Sequence, residues 1–266
     1  MSPIEKERFD QAIKAVVNGE VSLLSQLIEQ HPALLTARYE SEEAPYSAYF
    51  HRPTLLHFVA GNPDPASYPA NMLEVLRLLV EAGAEVDAVT DFEPYWSWTT
   101  LGLVASGNPA VNSGQAYELM AYLIKAGADI NFKQGLNIFG AFFHTPSNQR
   151  LAALATWLVD QGGETDLAYA SACGKLDLVK AFVTPDGQLT STAYGRYRLP
   201  GNYFDQPTRE ALLAEALVYA CLCGQQAVAA YLLELGADIQ HPAPLHQERP
   251  TPLHAAVWGN WPTQAN

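Results

Sequence analysis

Cysteine is scarce in this chain: only Cys173, Cys221 and Cys223 occur in 266 residues, each inside an apolar helical pattern. Such sparse and scattered thiols exclude the disulfide framework of a small secreted scaffold and point to a reducing compartment. Basic residues are scarce too, with 15 Lys and Arg against 28 Asp and Glu and a formal charge of −13. That field repels phosphate backbones and anionic lipid headgroups, so neither nucleic acid nor a membrane surface is expected as a partner. No apolar run approaches the roughly 18 residues of a membrane span. The opening MSPIEKERFD carries charges where a signal peptide has its apolar centre. A cytoplasmic protein is expected. The patterns G-x-S-x-G, H-E-x-x-H, G-x-x-x-x-G-K and G-x-G-x-x-G are all missing, which removes the usual nucleophile, zinc and phosphate devices and argues against an enzyme.

What the chain does have is repetition. TPLHAAVWGN at Thr251 is matched by TLLHFVAGN at Thr54, TTLGLVASG at Thr99, TDLAYASACG at Thr165 and EALVYACLCG at Glu215. Weaker copies stand at Asn137 (NIFGAFFHTP) and Asp10 (DQAIKAVVNG). Most are followed by a second apolar-periodic segment that closes on Gly-Ala-Asp or a relative, as in VLRLLVEAGAEVD, LMAYLIKAGADIN, LATWLVDQGGETD and VAAYLLELGADIQ. Each unit therefore reads as a pair of helices. The starts have a physical rationale: a Thr hydroxyl caps the helix, Pro suits its first turn, and small Ala residues let neighbouring helices approach. Gly83, Gly127 and Gly236 stand where a left-handed residue closes the second helix.

With these start and stop motifs in order, the chain resembles the ankyrin repeat from about Phe9 to Trp261. The resemblance implies an all-α solenoid of stacked helix pairs with extended finger loops. It implies one domain over residues 1–266, about six helix pairs and an incomplete last repeat. It also implies that His57 and His254, on the motif histidine, bond within the turn. Departures from the ideal period of about 33 residues come from insertions. Three occupy finger positions, near 39–52, 88–98 and 184–208. Two more, GNPDPASYPAN from Gly61 and SGNPAVNSGQ from Ser106, read as plain loops between the helices of one unit.

The fingers carry the candidate site. Tyr46, Tyr49, Phe50, Phe92, Tyr95, Trp96 and Trp98 gather in the first two, and Tyr194, Tyr197, Tyr203 and Phe204 in the third. Aromatics and Arg dominate binding hot spots because they bury large area at low entropic cost. The partner-binding set is accordingly Tyr46, Tyr49, Phe92, Tyr95, Trp96, Trp98, Arg196, Tyr197, Arg198 and Tyr203. Self-packing of the loops on their own rings is the alternative. Glu40, Glu42, Glu43, Asp91 and Glu93 make the first two fingers acidic, whereas Arg196 and Arg198 make the third basic. Either a bridging partner carries mixed charge, or Arg196 and Arg198 fold back onto the acidic fingers.

No cofactor or metal is expected. Cys221 and Cys223, with His241, His246 and His254 downstream, have the wrong spacing for a metal site, because C-x-C on a helix points its thiols about 200 degrees apart. Buried structural cysteine is the expectation. The expected function is a non-catalytic, monomeric scaffold that binds a protein partner through a concave face and its fingers. An inhibitor or immunity-type protein that blocks a basic toxin or enzyme is the second reading. The last start, at Thr251, lacks a following second helix. The sequence is expected to be truncated there, or sealed by Trp258, Trp261 and the tail, or covered by self-association.

Overall fold

Gly19 shows how one helix pair is joined to the next. It ends the first helix at a φ of +70°, and its carbonyl accepts a hydrogen bond of 2.9 Å from the Asn71 side chain, more than fifty residues downstream. In the computed structural model the described residues are 3–46, 50–63, 65, 67–91, 97–132, 149–194, 207–243 and 249–259. The chain divides into two compact units, Met1–Ala141 and Phe142–Asn266. Both are helical, with two isolated antiparallel bridges, Val89 with Thr99 and Val183 with Leu189, among the described residues.

In the first unit α1 (Pro3–Asn18) and α2 (Val21–Gln30) form a pair, followed by a 3₁₀ turn at Pro32–Leu35. A 3₁₀ helix at Leu55–Ala60 pairs with α3 (Met72–Glu81), and α4 (Thr100–Ser106) with α6 (Ala116–Lys125), with α5 (Asn108–Asn112) between the last two. The first members, α1, the 55–60 helix and α4, pack side by side, and so do α2, α3 and α6. The sequence dictates the second row. In α3 the buried residues are Met72, Val75, Leu76 and Leu79, and in α6 they are Ala116, Leu119, Met120 and Leu123. Both sets follow the i, i+3, i+4, i+7 spacing of a single helical face.

Gly83 and Gly127 close these two helices in the same way. Gly83 N–H donates to Val80 O at 3.0 Å and Ala84 N–H to Leu79 O at 3.0 Å. Gly127 N–H donates to Ile124 O at 3.0 Å and Ala128 N–H to Leu123 O at 2.9 Å. Each glycine has a φ above +100°, so the paired bonds satisfy terminal carbonyls while the chain turns away. The insertion from Ser106 departs from the expected plain loop. Pro109, in the first turn of α5, supplies a preset φ and helps a one-turn helix form there.

The second unit contains α7 (Gln149–Asp160), α8 (Leu167–Ala172), α9 (Leu176–Ala181), α10 (Arg209–Leu222), α11 (Gln226–Glu234) and α12 (Pro252–Gly259). Here α8, α10 and α12 pack in sequence, and α9 packs on α11. The core joins Leu167 and Ala170 to Leu213, Ala216, Leu217 and Ala220, closed by Val179, Val228 and Leu232. Alternating leucine and alanine lets α8 and α10 approach closely. Gly174 repeats the link seen at Gly19: the Gln225 side chain donates to Ala172 O at 3.1 Å, beside a glycine with a φ of +68°.

Two repeat starts differ from their place in the sequence alignment. Glu215 and Asp10 lie inside helices, because α10 begins at Arg209 and α1 at Pro3. Thr208 is the cap of α10, its side chain accepting from Ala211 N–H at 3.2 Å. At the Thr165 start the cap is Asp166, whose carboxylate accepts from Tyr169 N–H at 2.9 Å. Thr54 and Thr99 do stand at the caps that the motif assigns them. Among the described residues no helix is long and apolar enough to cross a membrane.

Candidate functional site

The finger insertions begin as backbone ladders. Tyr39 N–H donates to Pro53 O at 2.9 Å and closes the base of the first finger. Thr90 N–H donates to Trp98 O at 2.9 Å, and Trp98 N–H returns to Thr90 Oγ1 at 3.0 Å, closing the second. Asp91 N–H then donates to His51 O at 2.8 Å, lacing one finger to the other, and His51 Nδ1 bonds the Asp91 carbonyl. Arg38 reinforces the junction, donating from Nη1 to Arg52 O at 3.0 Å and to Val89 O at 2.6 Å. Arg52 pairs with Asp91 at 2.7 Å and with Glu40 at 3.4 Å. The two finger bases are thus tied together by hydrogen bonds and ion pairs.

His57 supports this platform from beneath. Its Nδ1 accepts from Thr54 N–H at 3.0 Å and lies 2.8 Å from the Thr54 hydroxyl. The proton therefore sits on Nε2, which donates to Trp98 O at 3.1 Å. Complete burial pulls its pKa down to about 4, outweighing the backbone bonds that favour the charged form. A neutral imidazole thus bridges one repeat start to the residue before the next. The same Thr–His contact recurs at Thr251 and His254, at 2.9 Å.

Of the partner-binding residues expected from the sequence, Tyr49, Phe92, Tyr95, Trp96, Arg196, Tyr197, Arg198 and Tyr203 lie outside the described residues. Tyr46 and Trp98 lie within them. Tyr46 is half-buried in an aromatic cluster, its ring centroid 4.8 Å from Tyr39, 5.9 Å from Phe50 and 6.4 Å from Phe58. Phe9 extends the cluster to 5.7 Å from Tyr39. Burial raises the Tyr39 pKa to about 12, helped by a hydrogen bond to Asp10. Trp98 is only 7% exposed, and its indole N–H has no hydrogen-bond partner among the described residues. The ring of Trp98 packs inward at the position where the second finger rejoins the helices.

The third insertion opens with a tight hairpin. Thr184 N–H donates to Gln188 O at 2.8 Å around Gly187. Arg209 fastens it, donating from Nε to Gly187 O at 3.2 Å and from Nη2 to Leu235 O at 2.8 Å.

A groove of about 500 Å³ runs between α1, the 32–35 turn and the first finger base. It is lined by Arg8, Arg38 and Arg52, by Glu5 and Glu40, and by an apolar edge that includes Pro32 and Ala33. Sequence reasoning missed it. The three arginines sit in separate segments with no shared period, and only folding collects them. The one available signal was that five of the 15 Lys and Arg fall within the first 52 residues.

The cysteines are more accessible in part than the repeat pattern suggests. Cys173 is buried, while Cys221 and Cys223 are half-buried. Burial pushes the Cys173 thiol up to about 11 and the Cys223 thiol up to about 12, so neither is a ready nucleophile. Among the described residues no group of three or more His, Cys, Asp or Glu is placed to hold a metal ion. No family model matches the chain, and no curated protein matches it.

Proposed function

We propose that this chain is a non-catalytic scaffold of the ankyrin-repeat type, which binds a protein partner through its concave face and finger loops. The observation that carries the reading is the lacing of the first two fingers through Asp91 N–H and His51 O at 2.8 Å. Tying the two loop bases together removes part of the entropic cost of ordering these loops on binding, which suits a recognition surface. The repeat architecture is supported by three features. Helices pack in two rows in the first unit, Gly83 and Gly127 close their helices alike, and an amide side chain reaches back to the preceding turn at both Asn71 and Gln225.

The fingers supply rings and charge in a chain whose motifs offer no catalytic device. Affinity capture from the native proteome tests the reading, with the parent chain compared against a variant carrying Tyr95, Trp96, Tyr197 and Tyr203 as Ser. A protein retained by the parent and lost from an equally stable variant is the expected outcome. Equal capture by both would overturn the role of the fingers.

A further inference from the structure

We propose that the groove between α1, the 32–35 turn and the first finger base receives an acidic peptide segment, with a carboxylate set between Arg8 and Arg38. The inference deepens the scaffold reading and rests on it. Arg38 lines the groove with its guanidinium already oriented, because Nη1 is held by Arg52 O at 3.0 Å and Val89 O at 2.6 Å. Its Nε and Nη2 have no partner among the described residues. Arg8, on α1 and lining the same groove, likewise has none among the described residues. By contrast, Arg52 is engaged by Glu40 and Asp91. The groove therefore presents one guanidinium, Arg8, and two further donors of Arg38 that have no partner among the described residues, in a chain of charge −13 where intramolecular carboxylates are abundant.

Two more features narrow the ligand. Planar guanidinium forks match a carboxylate in two-pronged fashion, and orienting one beforehand cuts the cost of binding. Glu5 and Glu40 line the same groove, so its positive excess suits a single carboxylate better than a phosphate of charge about −1.5 to −2. Pro32 and Ala33 are exposed at the edge and offer an apolar wall to a neighbouring aliphatic side chain. The volume, about 500 Å³, admits a few peptide residues, within the usual range of roughly 300–1,000 Å³ for ligand sites.

A random octapeptide library displayed on phage and panned against the full chain tests this. Enrichment of sequences with Asp or Glu beside an aliphatic residue is expected. A synthetic peptide of the enriched sequence should bind at least about tenfold more weakly to Arg8→Gln, the usual scale for losing a charged hydrogen bond. Arg38→Gln removes two bonds that hold the fingers, so a second variant guards against misfolding. Ala33→Glu places a negative charge on an exposed wall and should weaken binding without lowering the melting temperature. No enrichment, or a peptide that binds Arg8→Gln and Ala33→Glu as well as it binds the parent, overturns the proposal. Such a failure leaves partner capture through the fingers standing, whereas loss of that capture alone would leave peptide binding in the groove intact.

Discussion

His57 donates from Nε2 to the Trp98 carbonyl at 3.1 Å, so a single buried imidazole ties the start of one helix to the closing residue of the second finger. Its neutrality is a condition of the fold, because both ring nitrogens are committed and no water reaches them.

The first prediction follows from that neutrality. With the pKa lowered from 6.5 to about 4, the unfolded chain binds a proton at this position that the folded chain refuses. The stabilisation is fully present above about pH 6.5 and is lost as the pH falls towards 4. Its limit is about 3 kcal/mol, from about 1.4 kcal/mol per pH unit. Urea midpoints between pH 7 and pH 4 should fall more steeply for the parent than for His57→Asn. Parallel slopes would mean that other groups set the acid sensitivity.

Gly174 and Gly127 share a left-handed φ but differ in surroundings. A methyl at Gly127 meets nothing within 4 Å, whereas one at Gly174 would lie 2.3 Å from the Gln225 amide oxygen. Gly127→Ala is expected to cost about 1 kcal/mol from backbone strain. Gly174→Ala should cost about 2 kcal/mol, because Gln225 must also give up its bond to Ala172 O. In a Gln225→Ala background the two alanines should become nearly equal in chemical denaturation.

Trp98 is expected to stabilise the protein. Replacing this 7% exposed ring with Ala should cost about 3–5 kcal/mol and lower the melting temperature by many degrees. A melting curve that barely moves would show that the ring contributes little to the packing beneath the finger.

Leu76 and Leu253 make a matched pair on helices. Leu76 is fully buried in α3, and Leu253 is 71% exposed on α12. Truncation to Ala should cost about 2–5 kcal/mol at Leu76 and under about 0.5 kcal/mol at Leu253. Comparable losses would mean that the Leu253 face is covered in solution.

The parts of the fold written in local chemistry were legible. Met72, Val75, Leu76 and Leu79 announce a helix face by spacing alone, and Gly83 announces its end. Thr54 and Thr99 are caps because a hydroxyl before an apolar run has one obvious use. Start positions failed where a competing cap lay upstream: Thr208 outbids Glu215, and the chain is already helical when it gets there. The burial of Trp98 was illegible, since an aromatic in a loop reads the same whether it faces in or out. The groove was less legible still, because Arg8 and Arg38 meet only through long-range packing.

Titration calorimetry of the captured partner against the parent and the finger variant tests the scaffold claim most directly. The account predicts saturable binding by the parent and at least tenfold weaker binding by the variant with Tyr95, Trp96, Tyr197 and Tyr203 replaced by Ser, as expected for hot-spot residues worth about 1.4 kcal/mol or more in total. Melting temperatures should agree between the two. Equal affinity for both proteins would contradict it.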